Sequence, residues 1–160
     1  MKKIFLLVCV AALLAGCGAG EEQLDRAMVL RADMIAQALS FDAQITADYG
    51  SESFTFCMFC SVDTGGSMTF RVTEPSAIAG ISGTVDASGG KLTFDDAALG
   101  FELMADGQIS PVSAPWVLIR TLRGGYLTSC TQEEGSLRIS IDDSYELDAL
   151  HLDIWLDEND

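Results

Sequence analysis

The sequence predicts an α+β protein in which a curved antiparallel sheet wraps around two helices. Three observations carry this. From residue 41 on, most of the chain alternates apolar and polar residues with the period of a half-buried strand. Turns rich in Asp and Gly join the alternating runs, and tight turns demand antiparallel neighbours. Two segments carry helical spacing, and they are the material available to cover the sheet's apolar face.

The first helix is expected over 21–39, a stretch without Gly or Pro. Leu24, Ala27, Met28, Met34, Ile35, Ala38 and Leu39 form its apolar stripe, Glu21 and Glu22 suit the dipole of its first turn, and Arg31 snorkels out of the stripe. Period two then takes over. Phe41, Ala43, Ile45, Ala47 and Tyr49 alternate with Asp42, Gln44, Thr46 and Asp48. Phe54, Phe56, Met58, Cys60 and Val62 continue the theme up to the turn Asp63-Thr64-Gly65-Gly66, and Met68, Phe70 and Val72 follow it. Strands are expected over 81–85 and 91–94 around the turn at 86–90, and over 101–104 before the hairpin signal Asp106-Gly107. The mid-chain helix lies in "SPVSAPWVLIRTLRGGY", with Ser113 as candidate N-cap, Pro115 in the first turn and Gly124 past the end. Trp116, Ile119 and Leu122 face inward from it, opposite Arg120 and Arg123. Strands over 126–131, 137–141 and 150–156 close the chain; the last places His151, Asp153 and Trp155 on its polar side.

At the other end, Met1-Lys2-Lys3 precedes an apolar run from Ile4 to Leu14, too short to span a bilayer and patterned like an export signal. Leu14-Ala15-Gly16-Cys17 resembles the bacterial lipobox. What that resemblance implies is a signal peptide over 1–16, diacylglyceryl modification of Cys17 of the kind that incorporates palmitate, a lipidated tether over 17–20, and one domain over 21–160. The protein would then be exported and held by lipid at the extracytoplasmic face of the cell envelope. One acyl chain holds marginally, whereas two or more anchor stably. Cys9 would leave with the signal.

Removing 16 of 160 residues leaves 144, enough for one domain with a proper core. The formal charge of −15 becomes −17 once Lys2 and Lys3 are gone. Such acidity repels nucleic acid and anionic headgroups, so the only membrane link expected is covalent lipid, and the protein is expected to be a monomer.

"CMFC" at Cys57 and Cys60 has the spacing of a redox or zinc half-site. It lies inside a strand, however, where residues three apart point to opposite faces. A disulfide from one of them to Cys130 and free core cysteines are the other readings, and the strand placement favours free thiols. No metal and no cofactor is expected. Val62-Asp63-Thr64-Gly65 has the aspartic-protease triplet but no second copy, so it reads as a turn. His151 and Asp153 share a face without a G-x-S-x-G elbow. "SGGK" at 88–91 lacks the spacing and the following helix of a phosphate loop. No enzyme is expected. Trp116, Trp155 and the methionines are assigned to the core.

The first helix running into "FDAQITADYG", the meander of strands and the helix "SAPWVLIRTLRGG" together resemble the outer-membrane lipoprotein carrier (LolA/LolB-like) superfamily. That resemblance covers most of 21–156 and is architectural. It implies an incomplete β-barrel wrapped around an N-terminal helix and a mid-chain helix, with the latter as a lid; such folds usually carry one or two more strands after the place of "WLDEND", so either the sequence is short there or the barrel is unusually open. It also implies an apolar cavity for an acyl chain, a lipid or a lipoprotein-like ligand, lined by Phe54, Phe56, Met58, Phe70, Trp116, Ile119 and Leu122. The alternative is an envelope protein–protein interaction module whose concave face is filled by its own side chains and holds no ligand.

Overall fold

The computed structural model describes residues 19–105 and 108–157. The expected signal segment, the expected lipidation site Cys17, Gly18, Asp106, Gly107 and residues 158–160 lie outside the described residues. The fold is α+β, and all paired strands are antiparallel. The described backbone groups into two compact units, one within Asp33–Arg123 and the other made of the described residues up to Ala32 together with those from Gly124 to Asp157.

The larger unit is a six-stranded meander in chain order. Its strands are β1 (Leu39–Asp48), β2 (Ser53–Val62), β3 (Met68–Glu74), β4 (Ser82–Asp86), β5 (Gly89–Phe94) and β6 (Ala97–Phe101). Strand pairing puts Leu39 opposite Val62, Phe41 opposite Cys60, Cys60 opposite Phe70, and Met68 opposite Val85. Residues directly opposite share a face, so the alternation read from sequence becomes one continuous apolar surface. Met58, Cys60, Val62, Met68, Phe70, Val72 and Val85 on it are all buried. Two glycines let aromatic rings lie across neighbouring strands. A Cβ on Gly83 would stand 2.2 Å from the Lys91 carbonyl and 2.7 Å from the Phe70 ring, and one on Gly90 would stand 2.0 Å from the Phe101 ring. The opposite face is finished by hydroxyls, with Ser40 bonded to Ser61 and Thr46 to Thr55, each at 3.0 Å.

The expected strand over 101–104 is corrected by the structure. The pairing strand is β6, and Met104–Ala105 (β7) pairs separately with Gln108–Ile109 (β8). The β5–β6 turn is Asp95-Asp96, both at positive φ (46° and 65°), a conformation that Asp tolerates better than most residues. With no glycine in it, the turn gave no sequence signal.

Helix α1 spans Ala19–Ala36 and helix α2 spans Ala114–Gly124, preceded by a 3-10 turn at Pro111–Ser113. Ser113 does not act as the N-cap; its buried hydroxyl donates to the carbonyls of Ser110 and Leu103. Trp116, Ile119 and Leu122 are buried, as their spacing predicts. Within the larger unit α2 is fastened by two residues. The Trp116 indole donates to the Gly66 carbonyl at 2.7 Å, and the Arg123 guanidinium donates to the carbonyls of Met34, Gln37 and Asp63 at 2.8–3.0 Å. Met34 and Gln37 lie at the end of α1, where carbonyls lack helical partners, so Arg123 caps that helix.

The smaller unit holds a three-stranded sheet in the order β11 (His151–Leu156), β10 (Ser136–Asp142), β9 (Tyr126–Glu133). Leu137, Ile139 and Ile141 of β10 are buried on one face. In this unit Arg31 of α1 donates to the Gly125 carbonyl at 2.9 Å. The buried side of α1 is not the stripe that hydrophobicity predicts. Ala27 is buried, and Gln23, Leu30, Arg31 and Met34 are half-buried, while Leu24, Met28, Val29 and Ile35 are exposed. Small Ala27 permits close approach, and the Arg31 hydrogen bond fixes the rotation of the helix.

Candidate functional site

Of the seven expected ligand-lining residues, five are buried. Met58, Phe70, Trp116, Ile119 and Leu122 are 0–7% exposed. Phe56 is half-buried, and Phe54, at the far end of β2, is 55% exposed and packs edge-on against Tyr49. Two depressions lie on the six-stranded sheet among the described residues, and of the expected lining only Phe70 borders one of them. One of about 670 Å³ is bordered on the hydroxyl face by Phe59, Thr69, Arg71, Ser82, Thr84 and Thr93, with Phe70 and Gly83 at its floor. The other, about 530 Å³, lies by the β4–β5 turn among Thr84, Asp86, Ser88, Lys91 and Glu102.

The densest polar constellation is on the smaller sheet. Opposite strand positions place Arg138, Ser140 and Asp142 of β10 beside Trp155, Asp153 and His151 of β11. Arg138 holds both oxygens of Asp153, Nη2 to Oδ2 at 3.0 Å and Nε to Oδ1 at 3.3 Å, and Ser140 Oγ donates to Oδ1 at 2.6 Å. These bonds hold the Asp153 carboxyl well below the usual carboxylate range, at about 2. Glu133 of β9 accepts from Arg138 at 3.4 Å and from the Trp155 indole at 3.1 Å, and the Arg138 guanidinium lies 5.3 Å over the Trp155 ring. His151 Nδ1 lies 2.6 Å from Asp142 Oδ1, and Nε2 lies 3.6 Å from Asp153 Oδ1. The Asp142 hydrogen bond, aided by the charge of Asp153, raises the pKa of His151.

Chemically, this cluster holds charge and fixes strand register. The Ser140 proton points at a carboxylate too weakly basic to remove it, and that carboxylate is already occupied by Arg138. His151 faces two carboxylates instead of a nucleophile. Sequence reasoning placed His151 and Asp153 on one face; it missed Asp142, nine residues from His151, which only strand register brings near. It also placed Trp155 in the core. The structure corrects this: Trp155 is half-exposed, clasped between Arg138 and Glu133, and the methionines divide into buried Met58 and Met68 and exposed Met28 and Met104.

The other singled-out motifs resolve locally. The Asp63 carboxylate accepts from Ser67 N at 2.9 Å, and Gly66 at φ 87° completes the turn, so the Asp-Thr-Gly triplet is a self-closed β2–β3 corner. The Ser88 hydroxyl and the Ser88 N–H both donate to the Asp86 carboxylate within the β4–β5 turn, and these bonds, the hydroxyl's first, lower the pKa of Asp86. Cys57, Cys60 and Cys130 are free thiols. Cys57 and Cys60 sit on opposite faces of β2, and burial together with the charge of Asp42 pushes Cys60 up to about 11. Burial also raises Cys130, against the opposing charge of Arg31. Among the described residues no group of His, Cys, Asp and Glu is placed to hold a metal ion, and no helix is long and apolar enough to cross a membrane. No family model matches the chain, and neither does any curated protein or solved structure.

Proposed function

We propose that the chain is a lipid-anchored module of the cell envelope that recruits a protein partner, with its apolar sheet face filled by its own side chains. The observation that carries this reading is the near-complete burial of Met58, Phe70, Trp116, Ile119 and Leu122, the residues that an acyl-chain carrier would need to leave free. Anchoring at Cys17, export to the extracytoplasmic side and a LolA/LolB-like incomplete barrel belong to the same proposal and rest on the sequence patterns. A LolA-like framework emptied of its cargo role would keep the sheet and lose the cavity.

Mass spectrometry of the protein extracted natively from membranes tests the choice between module and carrier. The expected result is lipid only in covalent form at Cys17, with no fluorescent fatty acid bound by the soluble domain. A co-purifying lipid in near-equal amount would restore the carrier. Labelled palmitate entering the wild type but not Cys17→Ala tests the anchor separately.

A further inference from the structure

We propose that β6 is the docking edge of this module, taking an extended peptide segment of another protein as a seventh strand, with apolar residues at alternate positions and basic residues at its ends. The proposal rests on the interaction-module reading. β6 ends the sheet, and Ala97, Ala98, Leu99 and Gly100 are all exposed. Sheet edges are ordinarily blunted by lysine, proline or a bulge. Ala97-Ala98-Leu99-Gly100-Phe101 has none of these, and its pairing with β5 runs without a register shift.

Register tells which backbone groups are free. A two-residue turn makes Phe94 and Ala97 a hydrogen-bonded pair, and such pairs alternate along an antiparallel ladder. Ala97, Leu99 and Phe101 therefore bond to β5, while the N–H and C=O of Ala98 and Gly100 point away from the sheet. These four main-chain groups are the template that strand addition uses. On the apolar face of the hairpin, Phe94 is 47% and Leu99 66% exposed, so an added strand's alternate side chains would cover rings and methyls now in water.

Charge selects the occupant. The uncharged strand is bracketed by Asp95 and Asp96 before it and Glu102 after it; the nearest cation on the hairpin, Lys91, stands across β5 opposite Gly100, on the hydroxyl face. A second copy is disfavoured, because antiparallel self-pairing about Leu99 would set Asp96 against Glu102 at both ends. Lysine or arginine at the ends of the incoming segment would meet those carboxylates.

The test is a fluorescence-anisotropy titration at low salt with the peptide Lys-Val-Thr-Val-Thr-Ile-Lys and its counterpart carrying Glu at both ends. The Lys-ended peptide should bind the wild type at least tenfold more tightly than the Glu-ended one. Ala98→Pro removes an outward N–H without touching a ladder bond, and Leu99→Lys alters an exposed side chain. Each should weaken binding at least tenfold with circular dichroism unchanged. Absence of binding, equal binding by the variants, or concentration-dependent dimerisation through β6 would overturn the proposal. Lipid found in the interior would instead sink the module reading, whatever the peptides do at β6.

Discussion

The two sheets finish their polar faces by opposite means. On the six-stranded sheet the cross-strand contacts are hydroxyl pairs such as Ser40–Ser61 and Thr46–Thr55, and among the described residues no ion pair crosses it. On the three-stranded sheet Arg138, Asp153, His151, Asp142 and Glu133 form one linked network. The difference follows from what else fixes each register. The larger sheet has a wide buried face, two ring-accommodating glycines and turns closed by their own aspartates, and a one-residue slip would expose its whole apolar set. The smaller sheet has only three strands, and charged pairs add the specificity that a narrow apolar face supplies less firmly. Stability should accordingly depend on packing in one unit and on pH in the other. The two tryptophans, buried Trp116 and half-exposed Trp155, lie one in each unit and report on them separately.

The largest effect should come from Trp116→Ala. It empties a buried site and orphans the Gly66 carbonyl, for a loss of about 3–5 kcal/mol in urea unfolding. Trp155 fluorescence then tests whether the smaller unit unfolds with the larger or outlasts it. A loss below about 1 kcal/mol would mean that packing does not dominate the larger unit.

Next comes Gly83→Ala. Its Cβ meets a backbone carbonyl, which cannot swing aside, so about 1–3 kcal/mol should be lost. Gly90→Ala meets only the far end of the Phe101 ring and should cost less. Reversal of that order would show that the rings, and not the strand spacing, set the register.

The smallest effect is the pH dependence of the charged sheet. The folded pKa of His151 is raised above 6.5, so its contribution is complete below that value and is lost as pH rises through the folded pKa. Asp153 has the opposite sign: its contribution is present above 3.8 and is lost as pH falls toward about 2. The network is strongest between those limits. Comparing unfolding at about pH 2, about pH 5 and about pH 8, His151→Gln should remove the loss between the last two and leave the loss between the first two. An unchanged alkaline loss in the variant would assign it to another group.

Much of this architecture was legible in the sequence because most strands bury one face only. The alternation from Phe41 to Val72 maps onto β1–β3 within a residue or two. What escaped was decided by groups that hydropathy does not see. The buried side of α1 is chosen by small Ala27 and by the Arg31 bond to Gly125, against the more apolar Leu24, Met28 and Ile35. β6 hid in a run of Ala, Leu and Gly entered through two left-handed aspartates. The candidate lining residues were identifiable as apolar and inward-facing, but whether they enclose space or fill it depends on three-dimensional packing, which no periodicity encodes.

Arg123 has a consequence for how this chain can vary. Its three partners are main-chain carbonyls, and among the described residues no carboxylate pairs with it. A carbonyl is present whatever side chain occupies positions 34, 37 and 63. Those positions can therefore drift freely as far as this clasp is concerned, without the matched second change that an ion pair would require. On the side-chain end this three-way clasp is carried by one codon, and a descendant of this protein could change all three neighbours while retaining the single arginine.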